Sequence, residues 1–139
     1  MEVFFDSNVF LHHLANTREV ASKLLEDVEN GKITGFINDV VVSEVIYGYL
    51  RALTNLKPHQ LQSKLPKIDF DLSPIKDLLS LFRVLSCSFG VEVAEIVEKY
   101  KLLPNDALIA ATCKHYGIKK IATFDEDFKR VDFLEILEL

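Results

Sequence analysis

Four acidic side chains in this 139-residue sequence stand where a divalent metal ion could be bound. Asp6 and Asp125 each follow a short run of β-branched and aromatic residues, which is typical of a buried strand. Asp106 comes just after Pro104, in the first turn of a predicted helix. Glu44 lies in an apolar helical pattern that offers it no local basic partner. Carboxylates that converge repel one another unless a cation lies between them, so the pattern predicts a metal site.

A site built only from carboxylates favours a particular metal and a particular reaction. Oxygen ligands suit Mg²⁺ or Mn²⁺, whereas zinc favours histidine and cysteine. A divalent ion lowers the pKa of a bound water, orients the hydroxide against a phosphodiester and stabilises the leaving oxygen. Two such ions would also offset four of the five net negative charges of the chain. The expected chemistry is therefore phosphodiester hydrolysis.

Three of these acids also have a simpler structural explanation. Asp6 could cap the helix that begins after it, because aspartate is favoured before a first helical turn. Asp106 lies where the helix dipole favours negative charge. Glu44 could lie at the margin of the apolar stripe and reach solvent. Only the four acids taken together favour a metal site over these alternatives.

The periodicity predicts an α/β fold in one domain over residues 1–139, with a short central parallel sheet of about four or five strands flanked by helices. A strand over 3–5, a helix ending at Gly31 and a strand over 33–37 form a strand-helix-strand unit, whose strands should be parallel. Ligands bind at the carboxyl ends of the strands in open sheets of this kind. Asp6 and Asp125 follow two of those strand ends.

The remaining elements are predicted from caps, breakers and apolar spacing. Residues 16–19 have the spacing of a capping box, and Asn38 or Asp39 is expected to cap the helix that carries Glu44. One short helix is expected between Pro58 and Pro66. The other expected elements are a helix from Ser73 whose buried stripe reaches Leu85, a helix over 91–101, a helix from Pro104 to Gly117, and strands over 120–124 and 133–137, the last at the sheet edge.

The charge distribution is uneven. A net charge of −5 argues against a simple electrostatic nucleic-acid binder, which would normally be basic. Residues 1–50 contain three basic and eight acidic side chains, whereas residues 51–139 contain thirteen of each. Four basic residues follow one another with no acid between them: Arg51, Lys57, Lys64 and Lys67. Such a run is either a solvated face or a track for a phosphate backbone.

The composition also bears on location and assembly. No apolar run is long enough to span a membrane and no signal peptide is recognisable, so a cytoplasmic protein is expected. Cys87 and Cys113 lack metal-type spacing and are expected to be reduced core thiols. A mean hydropathy of +0.16 is high for a small soluble chain, which hints at apolar surface shared with a partner or a second copy.

Four short motifs occur in a set order along the chain. They are FFDSNVFL around Asp6, VVSEVIYG around Glu44, LPNDALIAAT around Asp106 and IATFDEDF around Asp125 and Asp127. With these four motifs in this order, the sequence resembles the PIN domain family, and more closely its VapC-like toxin branch. The resemblance covers essentially the whole chain, although residues 51–100 match only in helical character.

This resemblance implies a metal-dependent ribonuclease that acts on RNA. The acids implied as catalytic and as ligands of Mg²⁺ or Mn²⁺ are Asp6, Glu44, Asp106 and Asp125. Asp127 is implied as an accessory metal ligand, and Asn8 and Thr123 as groups that orient the ligands. Members of the toxin branch form homodimers and are held inactive by an antitoxin, so both partners are expected here.

Other interpretations remain open at this point. The alternative to an enzyme is a non-catalytic module that keeps the fold and binds a protein or RNA partner. A phosphoacceptor domain would need a paired acid after the first strand, and Asp6-Ser7-Asn8 supplies none. No glycine-rich dinucleotide motif follows a predicted strand. His12 and His13 are expected to be hydrated rather than ligating, and Tyr47 and Tyr49 to pack in the core rather than stack on a base.

Overall fold

Five parallel strands form one sheet in the computed structural model, which describes residues 1–137. The strands are β1 (Glu2–Phe5), β2 (Thr34–Asn38), β3 (Arg83–Leu85), β4 (Lys120–Ala122) and β5 (Glu135–Ile136). Their order across the sheet is β3-β2-β1-β4-β5, and every neighbouring pair is parallel. The predicted α/β class and parallel sheet are therefore confirmed, with β5 at the edge as expected. Residues 138–139 of the predicted domain lie outside the described residues.

α-Helices flank this sheet. They are α1 (Ser7–Leu14), α2 (Glu19–Glu29), α3 (Asp39–Thr54), α4 (Pro58–Lys64), α5 (Ser73–Leu79), α6 (Val93–Tyr100) and α7 (Pro104–Tyr116) among residues 1–137. Short 3-10 turns occur at Leu65–Lys67, Gly90–Glu92 and Glu126–Arg130. Within the described chain, no helix is long and apolar enough to cross a membrane.

An aromatic cluster in the core fixes the first helix on the sheet. The Phe82 ring lies 4.9 Å from the ring centroids of both Phe5 and Phe10, in edge-on contact with each. Phe5 on β1 and Phe10 on α1 are fully buried. Burial of each such ring contributes about 2–3 kcal/mol, and edge-on contacts add to it. Asp6, which joins β1 to α1, is thereby held in a defined position.

The third strand is an element that the apolar spacing did not predict. Phe82 and Leu85 continue the three- and four-residue spacing of α5, so a helical stripe through Leu85 was expected. Instead α5 ends at Leu79, and β3 pairs with β2 at the sheet edge. The prediction was wrong because a three-residue edge strand is too short to establish a period of two. Its Val84 is 53% exposed, as an edge position allows.

The capping box expected at residues 16–19 is also absent. Asn16 adopts a left-handed conformation, with φ of 55°, in the turn between α1 and α2. The residue that precedes α2 is Arg18, and its side chain makes no capping hydrogen bond. Thr17 instead donates its hydroxyl to the carbonyl of His12. The prediction was wrong because Thr17 forms hydrogen bonds with His12 at the end of α1 and does not cap α2.

The predicted boundaries of α3 and α7 are better supported. Asn38 caps α3, since its Oδ1 accepts a hydrogen bond from the Val41 amide at 3.1 Å. Gly117 ends α7 in the left-handed conformation, with φ of 70°. The small residues Ala107 and Ala110 are fully buried, so α7 packs closely on the sheet and brings Asp106 near the strand ends.

Candidate metal centre

Asp6 lies at the carboxyl end of β1 and is the N-cap residue of α1. Its amide donates to the carbonyl of Ala122 at 3.0 Å, which continues the pairing of β1 with β4. Its Oδ1 accepts the Ser7 amide at 2.8 Å, so Asp6 does cap the helix. Its Oδ2 accepts the Thr123 hydroxyl at 2.7 Å. Asp6 therefore does cap the helix, as the simpler explanation proposed. The same carboxylate also lies among the other predicted acids.

A polar network links Asp6 to the segment after β4. Asn8 donates its amide to Asp6 Oδ2 at 3.4 Å and to Thr123 Oγ1 at 3.3 Å, and its Oδ1 accepts the Phe124 amide. Thr123 Oγ1 also accepts the amide of Asp125 at 3.0 Å. Asn8 and Thr123 thus contact the acids as an orienting group would. Their function in metal binding stays a prediction.

All four predicted acids border one cavity at the carboxyl ends of the strands. The cavity has a volume of about 550 Å³ and is called the acid cavity below. The acids that line it are Asp6, Glu44, Asp106 and Asp125. Ser7 also lines it and donates its hydroxyl to Glu44 Oε1 at 3.2 Å, which ties α3 to the start of α1. Ser7 was not predicted as a site residue, although its position between Asp6 and Asn8 was a signal.

Asp127 lies closer to two of these acids than an accessory position suggests. Carboxylate oxygens of Asp106, Asp125 and Asp127 all lie within 4.8 Å of one another, a spacing that could hold a metal ion. The Asp127 amide donates to Asp125 Oδ1 at 2.9 Å. Arg130 donates to Asp127 Oδ1 at 3.1 Å and was not predicted, although its three-residue spacing on a helical turn was available.

The electrostatics of the site reflect burial and mutual repulsion. Burial raises the pKa of Asp6 to about 6, and repulsion from Glu44 and Asp125 adds to this, although the hydrogen bonds from Thr123 and Ser7 oppose it. Burial also raises the pKa of Asp106 to about 7, with repulsion from the neighbouring acids as the second cause. An aspartate side chain in water is fully ionised at neutral pH. The folded chain therefore disfavours the charged forms of Asp6 and Asp106, through burial and through repulsion between the acids.

The remaining candidate side chains lie outside the acid cavity. His12 and His13 form hydrogen bonds with Thr17 and Ser22, so neither joins the acids. Cys87 and Cys113 are both free, and Cys113 is fully buried. Burial raises the pKa of the Cys113 thiol.

The two tyrosines of α3 have different surroundings. Tyr49 packs against the core as expected. Tyr47 does not, because its side chain is 44% exposed.

Comparison with known proteins identifies the family. The family model of the PIN domain matches residues 3–134. The chain belongs to the PIN domain family. Two relatives of this PIN-domain chain are Methanocaldococcus jannaschii proteins. The one named Ribonuclease VapC2 is 50% identical over 142 residues, covering 99% of this chain and 94% of that protein. The one named Ribonuclease VapC6 is 34% identical over 154 residues, covering 98% and 96% respectively.

Solved structures share the PIN fold at lower identity. The structure of VapBC2 from Rickettsia felis bound to a promoter DNA fragment has a TM-score of 0.64 and 23% identity, covering 99% of this chain and 98% of that chain. The structure of FitAcB from Neisseria gonorrhoeae has a TM-score of 0.66 and 21% identity, covering 99% and 97% respectively. At these identities the likeness shows the shared fold alone.

Proposed function

We propose that this PIN-domain chain is a metal-dependent endoribonuclease and the toxin of a toxin–antitoxin pair, with residues 1–139 acting as one nuclease domain. The observation that carries the proposal is the convergence of Asp6, Glu44, Asp106 and Asp125 on one cavity at the strand ends. RNA is the proposed substrate because two relatives that match nearly the whole chain are named ribonucleases.

The donor set fits Mg²⁺ or Mn²⁺. Every candidate ligand is a carboxylate oxygen, which these hard cations prefer. Asp106, Asp125 and Asp127, whose oxygens lie within 4.8 Å of one another, would hold an ion, and Asp6 and Glu44 would extend the set. Burial and, after it, repulsion from neighbouring acids raise the pKa of Asp6 and Asp106, and a cation would favour the ionised forms of both. When bound, the ion supplies a water of lowered pKa and stabilises charge on the phosphate.

The side chains of the cavity have separate tasks in this mechanism. Thr123 and the Ser7 amide each hold one oxygen of Asp6, so this carboxylate keeps its orientation while substrate binds. The Ser7 hydroxyl donates a hydrogen bond to Oε1 of Glu44. The second oxygen of Glu44 is then available as a ligand of the ion. Asn105, at the start of α7, borders the cavity and can donate to a phosphate oxygen.

Incubation of the protein with single-stranded and structured RNA in Mn²⁺ tests the proposal. Cleavage is expected in Mn²⁺ or Mg²⁺ and should stop when a chelator removes the ion. The Asp6→Asn variant keeps the helix cap but loses the charge, so it should cleave at least about 100-fold more slowly. Equal cleavage by the parent and Asp6→Asn would contradict the proposal. Calorimetry that detects no binding of Mn²⁺ would favour the non-catalytic interaction module.

We further propose an antitoxin and a second copy of the chain as partners. The antitoxin is supported by the VapC names of two relatives and by the VapBC2 structure that shares the fold. The homodimer is supported by exposed apolar side chains, among them Leu103 and Val91, which are 74% and 89% exposed. Light scattering of the isolated chain measures its oligomeric state, and a monomer at micromolar concentration would contradict the homodimer. Cytoplasmic location stays a prediction.

The Thr123→Val variant tests whether the hydroxyl orients a metal ligand. Valine keeps the shape of threonine but cannot donate to Asp6 Oδ2 or accept from the Asp125 amide. The affinity for Mn²⁺ is expected to fall about 10- to 100-fold. Isothermal calorimetry measures this change, and Thr123→Ser is the matched control because it retains the hydroxyl. Equal Mn²⁺ affinity in Thr123→Val and the parent would show that the hydroxyl has no such effect.

A further inference from the structure

A second cavity continues directly from the acid cavity along α3. It has a volume of about 520 Å³ and shares Ser7, Glu44 and Asn105 with the acid cavity. Its other wall includes Tyr47, Gly48 and Arg51, and it is called the flanking cavity below. A strand whose phosphate lies at the acids would therefore enter this cavity with its next nucleotide.

The flanking cavity follows one face of α3. Glu44, Tyr47, Gly48 and Arg51 are spaced at three, four and seven residues, which places them on the same side of a helix. Arg51 is seven residues beyond Glu44, a rise of about 10 Å along the helix axis. The order outward from the acids is therefore an acid, an aromatic ring and then a guanidinium.

Tyr47 presents an aromatic surface to this cavity. Its side chain is 44% exposed, although the neighbouring Tyr49 packs against the core. An exposed ring beside a nucleic-acid backbone is a stacking platform for a base, and stacking tolerates any base because each has a π-face. Stacking also requires an unpaired base, which favours single-stranded RNA over a duplex.

Arg51 supplies positive charge at the outer end. It is the one basic side chain among the residues that line either cavity. Its Nε donates to the carbonyl of Leu56 at 3.2 Å, which holds the guanidinium in place. No ion pair among residues 1–137 includes Arg51, so its charge is not neutralised by a described carboxylate. The guanidinium geometry suits a phosphate.

Gly48 allows α1 to pack closely on α3 beside the flanking cavity. A Cβ atom at this position would come within 2.6 Å of Leu11 Cδ2, because α1 and α3 pack closely there. The Leu11 side chain, which also lines the flanking cavity, therefore occupies the place that a side chain at position 48 would need.

We propose that the flanking cavity is a nucleotide subsite for single-stranded RNA, in which Tyr47 stacks on the base next to the cleaved phosphate and Arg51 binds the following phosphate. The subsite rests on the proposed ribonuclease function, since RNA is its occupant. It makes Tyr47 and Arg51 substrate-positioning residues. Of the four basic residues that have no acid between them, only Arg51 lines the flanking cavity, so Lys57, Lys64 and Lys67 are not part of the subsite.

Binding of a fluorescein-labelled single-stranded RNA octamer, followed by anisotropy, tests the subsite. The measurement uses the Asp6→Asn background with Mg²⁺, so that the RNA stays intact. Tyr47→Leu should weaken binding about 5- to 100-fold, the range for loss of one stacked base. Arg51→Gln should reduce the slope of log affinity against log salt by about 0.7, the value for one phosphate contact on a single strand.

Matched controls are available for both variants. Tyr116→Leu removes a tyrosine that is 43% exposed at the far end of α7, and Arg83→Gln removes an exposed arginine on β3. Both should bind as the parent does. An abasic nucleotide at the stacked position should weaken binding to the parent but add nothing to Tyr47→Leu, a coupling that a merely structural tyrosine would not produce.

The outcomes separate this subsite from the ribonuclease function. If the wild-type chain does not cleave RNA but the abasic coupling and the change in salt slope occur, the subsite stands and the hydrolysis is wrong. If the wild-type chain cleaves RNA while Tyr47→Leu and Arg51→Gln bind like their controls, the subsite is wrong. Absence of RNA binding also overturns it. In the cleaving protein, both variants should raise KM and change kcat less than about threefold.

Discussion

The Asp106→Asn variant is expected to cleave RNA about a thousandfold more slowly than the parent while unfolding at a higher temperature in the absence of metal. Cleavage should fall because the oxygens of Asp106 lie within 4.8 Å of those of Asp125 and Asp127, and asparagine removes one of the charges that hold an ion there. Stability should rise because burial penalises the charged carboxylate and its neighbours repel it, whereas asparagine has the same shape without the charge.

The expected stability gain can be bounded. A pKa raised from 3.8 to about 7 corresponds to about 4 kcal/mol for a fully buried group at neutral pH. Asp106 is only half-buried, so solvent screening reduces the gain to about 1–2 kcal/mol. Thermal unfolding in a chelator measures it. Asp77→Asn, which makes the same charge change at an exposed position on α5, should alter neither cleavage nor stability by comparable amounts. Unimpaired cleavage by Asp106→Asn would show that Asp106 is not a ligand.

The metal-free protein is expected to lose stability as the pH rises from 4 to 8, and divalent ions should reverse this trend. Asp6 and Asp106 have folded-state pKa values of about 6 and about 7, above the unfolded value near 3.8. A raised carboxyl pKa means that the folded state binds the proton more tightly than the unfolded state does. The free energy of unfolding therefore falls as the pH rises from the unfolded pKa through the folded pKa. Ionised carboxylates bind metal, so an ion restores the stability where the proton is lost.

Metal affinity should therefore rise steeply with pH. Protons compete with the ion at both groups at pH 6 but at neither at pH 8, so Mn²⁺ affinity should increase about 10- to 20-fold over this range. At an ion concentration of about 100 times Kd, the bound metal should add about 2.7 kcal/mol of stability. Melting curves at pH 5.5 and 8, with chelator or with Mn²⁺, measure both effects. A melting temperature of the metal-free chain that rises between these pH values would contradict the raised pKa values.

The convergence of the acids was predictable because its signals are local. Asp6 and Asp125 follow apolar runs, and parallel strands bring their carboxyl ends to one edge. Pro104 marks the start of α7, which places Asp106 in a first turn. Glu44 was identified by its lack of a local partner, and its observed partner, Ser7, is 37 residues away.

What could not be predicted depends on contacts between remote residues or on elements too short to show a period. The hydroxyl of Thr123 reaches Asp6 across 117 residues, and no spacing along the chain indicates which oxygen it contacts. The three residues of β3 fit a helical stripe as well as a strand. Tyr47 and Tyr49 look alike in sequence, and only the packing of α3 on the core separates an exposed ring from a half-buried one.

The central position of β1 has a consequence for synthesis of the protein. Phe4 pairs with Ile121, so the first strand has only one of its two neighbours until nearly the whole chain exists. Pairing between residues so remote in sequence is slow, because chain entropy is lost before the contacts form. A chain still growing on the ribosome without residues 120–125 has no Thr123 to hold Asp6 and no Asp125. The proposed hydrolysis therefore requires that translation has passed Asp125, and a nascent chain that ends before this residue lacks two of the groups on which it depends.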